Sequence, residues 1–182
     1  MPATLELNPL RACYEAAKLP FPLVGWLPAE ALPQPYRSLL VHERDMTSTL
    51  ESHHQARLHL RVLRSSRDQD SYTREVVLLL DGTDAPVEFG AIHIRLAAFD
   101  PPTQALILQE RRPLGAILEQ RGLPYSSRPT AFFRVLSDAV INEALGLVSQ
   151  RELYGRCNAL NDSHGRVLAE IVEILPPATE AE

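Results

Sequence analysis

Two β-rich runs flank a polar turn cluster between Tyr72 and Leu96. Tyr72, Arg74, Val76, Leu78 and Leu80 share one face of an extended chain. A second β-rich run, Val87 to Leu96, follows Asp81-Gly82, a pair whose glycine tolerates positive φ in a turn. The pattern predicts a β-hairpin. Arg74 shares its face with four apolar or aromatic residues, and a guanidinium there calls for an anion. On the return strand Gly90 interrupts a bulky run, which predicts a bulge or a close approach to the backbone. The other face of that strand carries Val87, Phe89, Ala91, His93 and Arg95.

The remaining pattern frames this hairpin. Asn8-Pro9 opens a short helix. Prolines at 20, 22, 28, 33 and 35 predict an extended arm from Leu19 to Tyr36, with Trp26 docked on the body. Leu39 to Gln55 is read as helical, with Asp45 able to cap it. Ala56 to Arg64 alternates as a half-buried strand. Asp100 caps a helix reaching Gln109, and Gly122 ends a shorter one. Arg128 to Val135 reads as a strand and Asp138 to Leu145 as a helix. Gln150 to Leu160 and Arg166 to Leu175 form a second hairpin around Asn161-Asp162-Ser163-His164-Gly165. Five or six mostly antiparallel strands with four or five short helices give an α+β fold. The expected organisation is an arm over residues 1–38, a domain over 39–177 and a frayed acidic tail over 178–182.

The last strand holds a second polar intruder. Glu170 alternates with Arg166, Leu168, Val172 and Ile174, while Glu173 falls on the face of Val167, Ala169, Ile171 and Leu175. A buried carboxylate must be paired, hydrogen-bonded or protonated. Glu170 is therefore either matched to a nearby arginine for satisfaction alone or faces an internal ligand cavity.

Composition narrows the function classes. The chain has 182 residues with 45% hydrophobic and 23% charged residues, as one globular domain requires. A net charge of -5 lacks the basic footprint of a general nucleic-acid binder. Cys13 and Cys157 have no metal-type spacing, and the run of His42, His53, His54 and His59 lacks paired-ligand logic, so no metal site is expected. No apolar run approaches the roughly 18 residues of a membrane span, and the N-terminus has no signal pattern. A soluble, cytoplasmic protein is expected. No phosphate-binding loop, dinucleotide fingerprint or nucleophile elbow is present, and no cofactor is expected.

The order of segments resembles the chorismate lyase family, which eliminates pyruvate from chorismate to give 4-hydroxybenzoate. The matching pieces are Asp45-Met46-Thr47, Arg74-Glu75 opening a long apolar strand, Asp81-Gly82, Gly90 and Pro113-Leu114-Gly115. Leu153-Tyr154-Gly155-Arg156 and Leu168-Ala169-Glu170-Ile171 follow. The resemblance runs from about Leu39 to Pro177. It implies an antiparallel sheet with helices on it and an enclosed aromatic-acid site, a fold shared with ligand-sensing domains of some transcriptional regulators. It further implies Arg74 as the carboxylate anchor and Glu170 as the partner of the ring hydroxyl. Leu114 and Gly115 would cover the ring, and Met46 would sit on a flap. The family's second arginine follows the strand glycine, where this chain has Ala91; His93 and Arg156 are the candidate replacements. Such an elimination asks for fixed carboxylates, excluded water and a polar group near the ether oxygen. The expected function is a cofactor-free chorismate-lyase-like elimination, with non-catalytic binding of a small aromatic carboxylate as the alternative.

Overall fold

A computed structural model of the chain describes residues 7–178. Seven strands form one sheet: β1 Val24–Leu27, β2 Leu58–Arg67, β3 Tyr72–Leu80, β4 Pro86–Ile94, β5 Ser126–Leu136, β6 Glu152–Asn161 and β7 Val167–Leu175. Their order across the sheet is β1-β5-β6-β7-β4-β3-β2, and every neighbouring pair is antiparallel. Among the described residues six short α-helices accompany them: α1 Leu10–Ala16, α2 Tyr36–Leu40, α3 Met46–His54, α4 Pro101–Leu108, α5 Leu114–Gln120 and α6 Ala139–Leu145. The architecture is the α+β, antiparallel one that the alternation predicts.

Local chemistry sets most boundaries. The β3–β4 turn takes positive φ at Gly82 (86°) and Asp84 (56°). Asp45, Asp100 and Asp138 cap α3, α4 and α6, accepting from the backbone N–H of Ser48 (2.8 Å), Thr103 (3.0 Å) and Ile141 (2.9 Å). Each such cap contributes about 1 kcal/mol.

The expected single helix over Leu39–Gln55 is corrected to two. Asp45 adopts extended dihedrals and caps a fresh start at Met46, so the chain breaks between α2 and α3. Within the proline-rich stretch, β1 forms at the sheet edge, pairing Val24 with Val135 and Trp26 with Phe133. An edge place suits a strand flanked by prolines. Trp26 packs edge-on against Phe133 with ring centroids 6.0 Å apart and remains 42% exposed. Of the acidic tail, residues 179–182 lie outside the described residues.

The two faces of the sheet are covered differently. On one, Phe89, Ala91, Val172 and Ile174 pack under α1 and α6, against Leu10, Tyr14, Ile141 and Leu145. On the other, α2 and α3 bring Leu40, Met46 and Leu50 onto Leu78 and Leu175. There α4 and α5 also bring Ile107, Leu114 and Ile117 onto Tyr72, Ile92 and Ile94. The two helical groups leave a gap over the middle of β3, β4 and β7, and the candidate site lies in that gap.

Candidate functional site

Strand register places the site's residues in rows across one face. Arg74 lies opposite Ile92, Ile92 opposite Ile171, and Ile171 opposite Asn158. In the next row Val76 lies opposite Gly90, Gly90 opposite Glu173, and Glu173 opposite Arg156. Glu88 follows, opposite Leu78. Over these rows lies a cavity with room for the centres of water molecules across about 70 Å³, inside about 570 Å³ of empty space when its open mouth is counted. Met46 and Thr47 from the start of α3 line one side, and Pro113, Leu114 and Gly115 from the start of α5 line the other.

Arg74 is 1% exposed and lines this cavity. Its Nη2 donates to the carbonyl of Arg112 at 3.0 Å, in the segment leading into α5. Its Nε and Nη1 are buried and have no partner among the described residues. Burial pulls the guanidinium pKa down, opposed by Tyr72 and Glu110. An arginine starts so high that it keeps its charge. Tyr72 hydrogen-bonds the Glu110 carboxylate, and burial pushes its hydroxyl up to about 12.

Glu88 is 5% exposed and also lines the cavity, and its Oε2 has no partner among the described residues. Burial holds its carboxyl well above the usual carboxylate range; the nearby Glu173 raises it further, and Arg156 only partly offsets the two. Glu173 has a committed partner, closing a buried ion pair with Nε of Arg156. The rest of the Arg156 fork is used by backbone: Nη1 donates to the carbonyls of Leu40 (3.1 Å) and His42 (3.1 Å), and Nη2 to that of Arg44 (3.3 Å). Arg156 thus pins the chain between α2 and α3 to β6, and has little left to offer a ligand.

The residues named from sequence divide accordingly. Arg74, Met46, Leu114 and Gly115 are brought together around the cavity. Gly90 sits in its floor row without lining it. A Cβ there would lie 2.1 Å from the Val172 carbonyl oxygen, so β4 and β7 approach as closely as they do because no side chain intervenes. Arg156 is in the adjoining row, engaged as described.

Glu170 requires a correction: it is exposed and lies on the opposite face from Arg74. Its cross-strand neighbours, His93 and Ala159, are themselves only half-buried, because the helices on that face do not extend over this end of β7. His93 likewise faces away from the cavity, hydrogen-bonded through Nδ1 to the Thr73 hydroxyl (2.8 Å). The reading of Ala91 as a lost cation is also corrected. Ala91 borders the cavity but pairs with Glu75 and packs in the core under α1 and α6. An arginine there would point into that core.

Sequence reasoning passes over Glu88, Asn158 and the ion-paired Glu173. Glu88 alternates with Gly90, Ile92 and Ile94, the same signal that singles out Arg74, but the glycine breaks the apolar run. Glu173 falls among apolar residues, yet both faces of β7 are apolar enough that alternation does not rank it above Glu170.

No protein-family profile matches the chain, and no curated protein does. Among solved structures, PhnF from Mycobacterium smegmatis superposes with a TM-score of 0.57 at 14% identity, over 78% of this chain and 71% of that one. The effector domain of the same protein gives 0.57 at 15% identity, over 72% and 87%. A putative transcriptional regulator from Streptomyces coelicolor gives 0.50 at 15% identity, over 69% and 91%. At these identities the likeness is one of fold alone.

Proposed function

We propose that this protein binds a small aromatic monocarboxylate in the cavity beneath the starts of α3 and α5, with Arg74 as the carboxylate anchor. The observation that carries this reading is the state of Arg74. A buried guanidinium with two donors unpaired among the described residues is costly to the fold unless an anion completes it, and Nε and Nη1, on different edges of the planar group, each have a charge-assisted hydrogen bond to give. Val76, Leu78, Ile92 and Ile171 supply apolar walls for a ring. A fold shared with an effector domain fits a pocket for a small molecule.

A second reading, elimination of pyruvate from chorismate, is favoured by the segments that resemble the lyases and meet here: Arg74, Met46, Leu114 and Gly115 all line the cavity. Chorismate carries two carboxylates, and among the described residues lining the cavity only Arg74 is a cation. Arg156 is spent on Glu173 and on backbone carbonyls. A monoanion therefore suits the site better than a dianion.

Titration calorimetry with 4-hydroxybenzoate, run beside an assay of pyruvate release from chorismate, tests both. The first reading expects saturable binding without pyruvate above the uncatalysed background. Pyruvate release that depends on Arg74 moves the function to the second. Failure of every single-ring carboxylate to bind removes both.

A further inference from the structure

Resting on that reading of the cavity, we infer that Glu88 is the second ligand-contacting residue. Its carboxyl donates a hydrogen bond to an oxygen carried at the end of the ring opposite the carboxylate held by Arg74.

Three observations carry this. First, Arg74 and Glu88 line one cavity and are four strand positions apart in register, since their partners Ile92 and Leu78 lie on the same paired strands. That is about 13 Å along the sheet, a distance two inward-reaching side chains can reduce to the span of a ring with substituents at both ends. Secondly, Glu88 Oε2 is buried with no partner among the described residues, as are Nε and Nη1 of Arg74. The cavity thus has one unsatisfied polar group at each end and apolar walls between them.

Thirdly, the charges close only one way. The groups facing Glu88 are Glu173 on β7, Arg156 on β6 and Asp45 at the start of α3, with Arg74 at the far end of the cavity. Arg156 neutralises Glu173. Asp45 is occupied in capping α3 through Ser48. Tyr72 and Glu110 already support the charge of Arg74, whose Nε and Nη1 are the donors left for the ligand carboxylate, and Glu88 has no cation paired to it among the described residues lining the cavity. It completes the site as a neutral carboxylic acid, the form favoured by burial and by Glu173. A neutral carboxyl has an O–H to donate, and the ligand end it meets must offer an acceptor. The ligand class is a para-oxygenated aromatic acid, and Glu88 selects it over its hydrocarbon analogues.

The test compares benzoate, 4-methylbenzoate and 4-hydroxybenzoate by calorimetry on the intact chain. The methyl and hydroxyl groups are close in size, so their difference isolates the polar contact. Wild-type protein should prefer 4-hydroxybenzoate over 4-methylbenzoate by about tenfold, the worth of one buried hydrogen bond. Glu88→Leu should abolish that preference while keeping benzoate binding, and Glu88→Gln, which retains a donor, should keep it. Equal wild-type affinities for the two acids overturn the inference, as does a preference that survives in Glu88→Leu. If Glu88→Leu does not fold, the wild-type comparison still decides. If benzoate and both substituted acids all fail to bind, the anchor reading itself falls, an outcome distinct from binding without a hydroxyl preference.

Discussion

Nη2 of Arg74 donates to the carbonyl of Arg112 at 3.0 Å, while Nε and Nη1 of the same buried guanidinium have no partner among the described residues. One arm of the guanidinium thus ties the floor strand β3 to the segment that leads into α5, and on the proposed function the two remaining donors meet the ligand.

Glu170 provides the first prediction. It is exposed on the face opposite the cavity, so Glu170→Ala should leave the affinity for an aromatic acid within about twofold and stability within about 0.5 kcal/mol. Calorimetry and a denaturant melt check both. A tenfold loss of affinity would contradict the register that turns Glu170 away from the cavity.

The Arg156–Glu173 pair should be structural. Both residues are buried, and removing one partner of such a pair costs about 3–5 kcal/mol, because the other charge is stranded. Arg156→Met should therefore lower the urea midpoint sharply. The double variant Arg156→Met with Glu173→Leu should recover a large part of the loss, with the remainder reflecting the freed carbonyls of Leu40, His42 and Arg44. A double variant no more stable than the single one argues against the pair as the source of the cost.

These residues also mark what the sequence could reveal. The Tyr72–Ile94 hairpin and Arg74 were legible because a period-two pattern with an aspartate-glycine turn has few other readings. Choosing between Glu170 and Glu173 was not. Both faces of β7 are largely apolar, and burial at each position depends on which helices extend over which end of the strand. That is decided by α1 and α6 on one side and by α3 and α5 on the other, far away in sequence. The place of Ala91 depended on the same knowledge, since one step of register exchanges the cavity face for the core face.

Glu88 makes stability depend on pH. Its folded pKa is raised, chiefly by burial, so the folded state holds this proton more tightly than the unfolded chain does. The associated stability is fully present below the ordinary glutamate value near 4.3 and is lost as pH rises through the higher folded value, at about 1.4 kcal/mol per pH unit within that window. Glu88→Gln removes this dependence. The variant should gain on wild type steadily as pH rises through the window, read as the difference between their denaturation midpoints. Parallel stability curves would contradict the assignment of Glu88 as a buried, proton-holding carboxyl.

The proposed function stands on the two unpaired donors of Arg74, which would hold a ligand carboxylate. Arg74→Met retains the stem but gives up the bond to the Arg112 carbonyl, so its fold is checked by a denaturant melt beside the titration. The decisive measurement is calorimetric titration of wild type and Arg74→Met with 4-hydroxybenzoate, each at matched pH and salt. The expected loss is roughly 10- to 150-fold in affinity, corresponding to about 1.5–3 kcal/mol for a charge-assisted contact. An Arg74→Met protein that folds and binds the acid as tightly as wild type would contradict it.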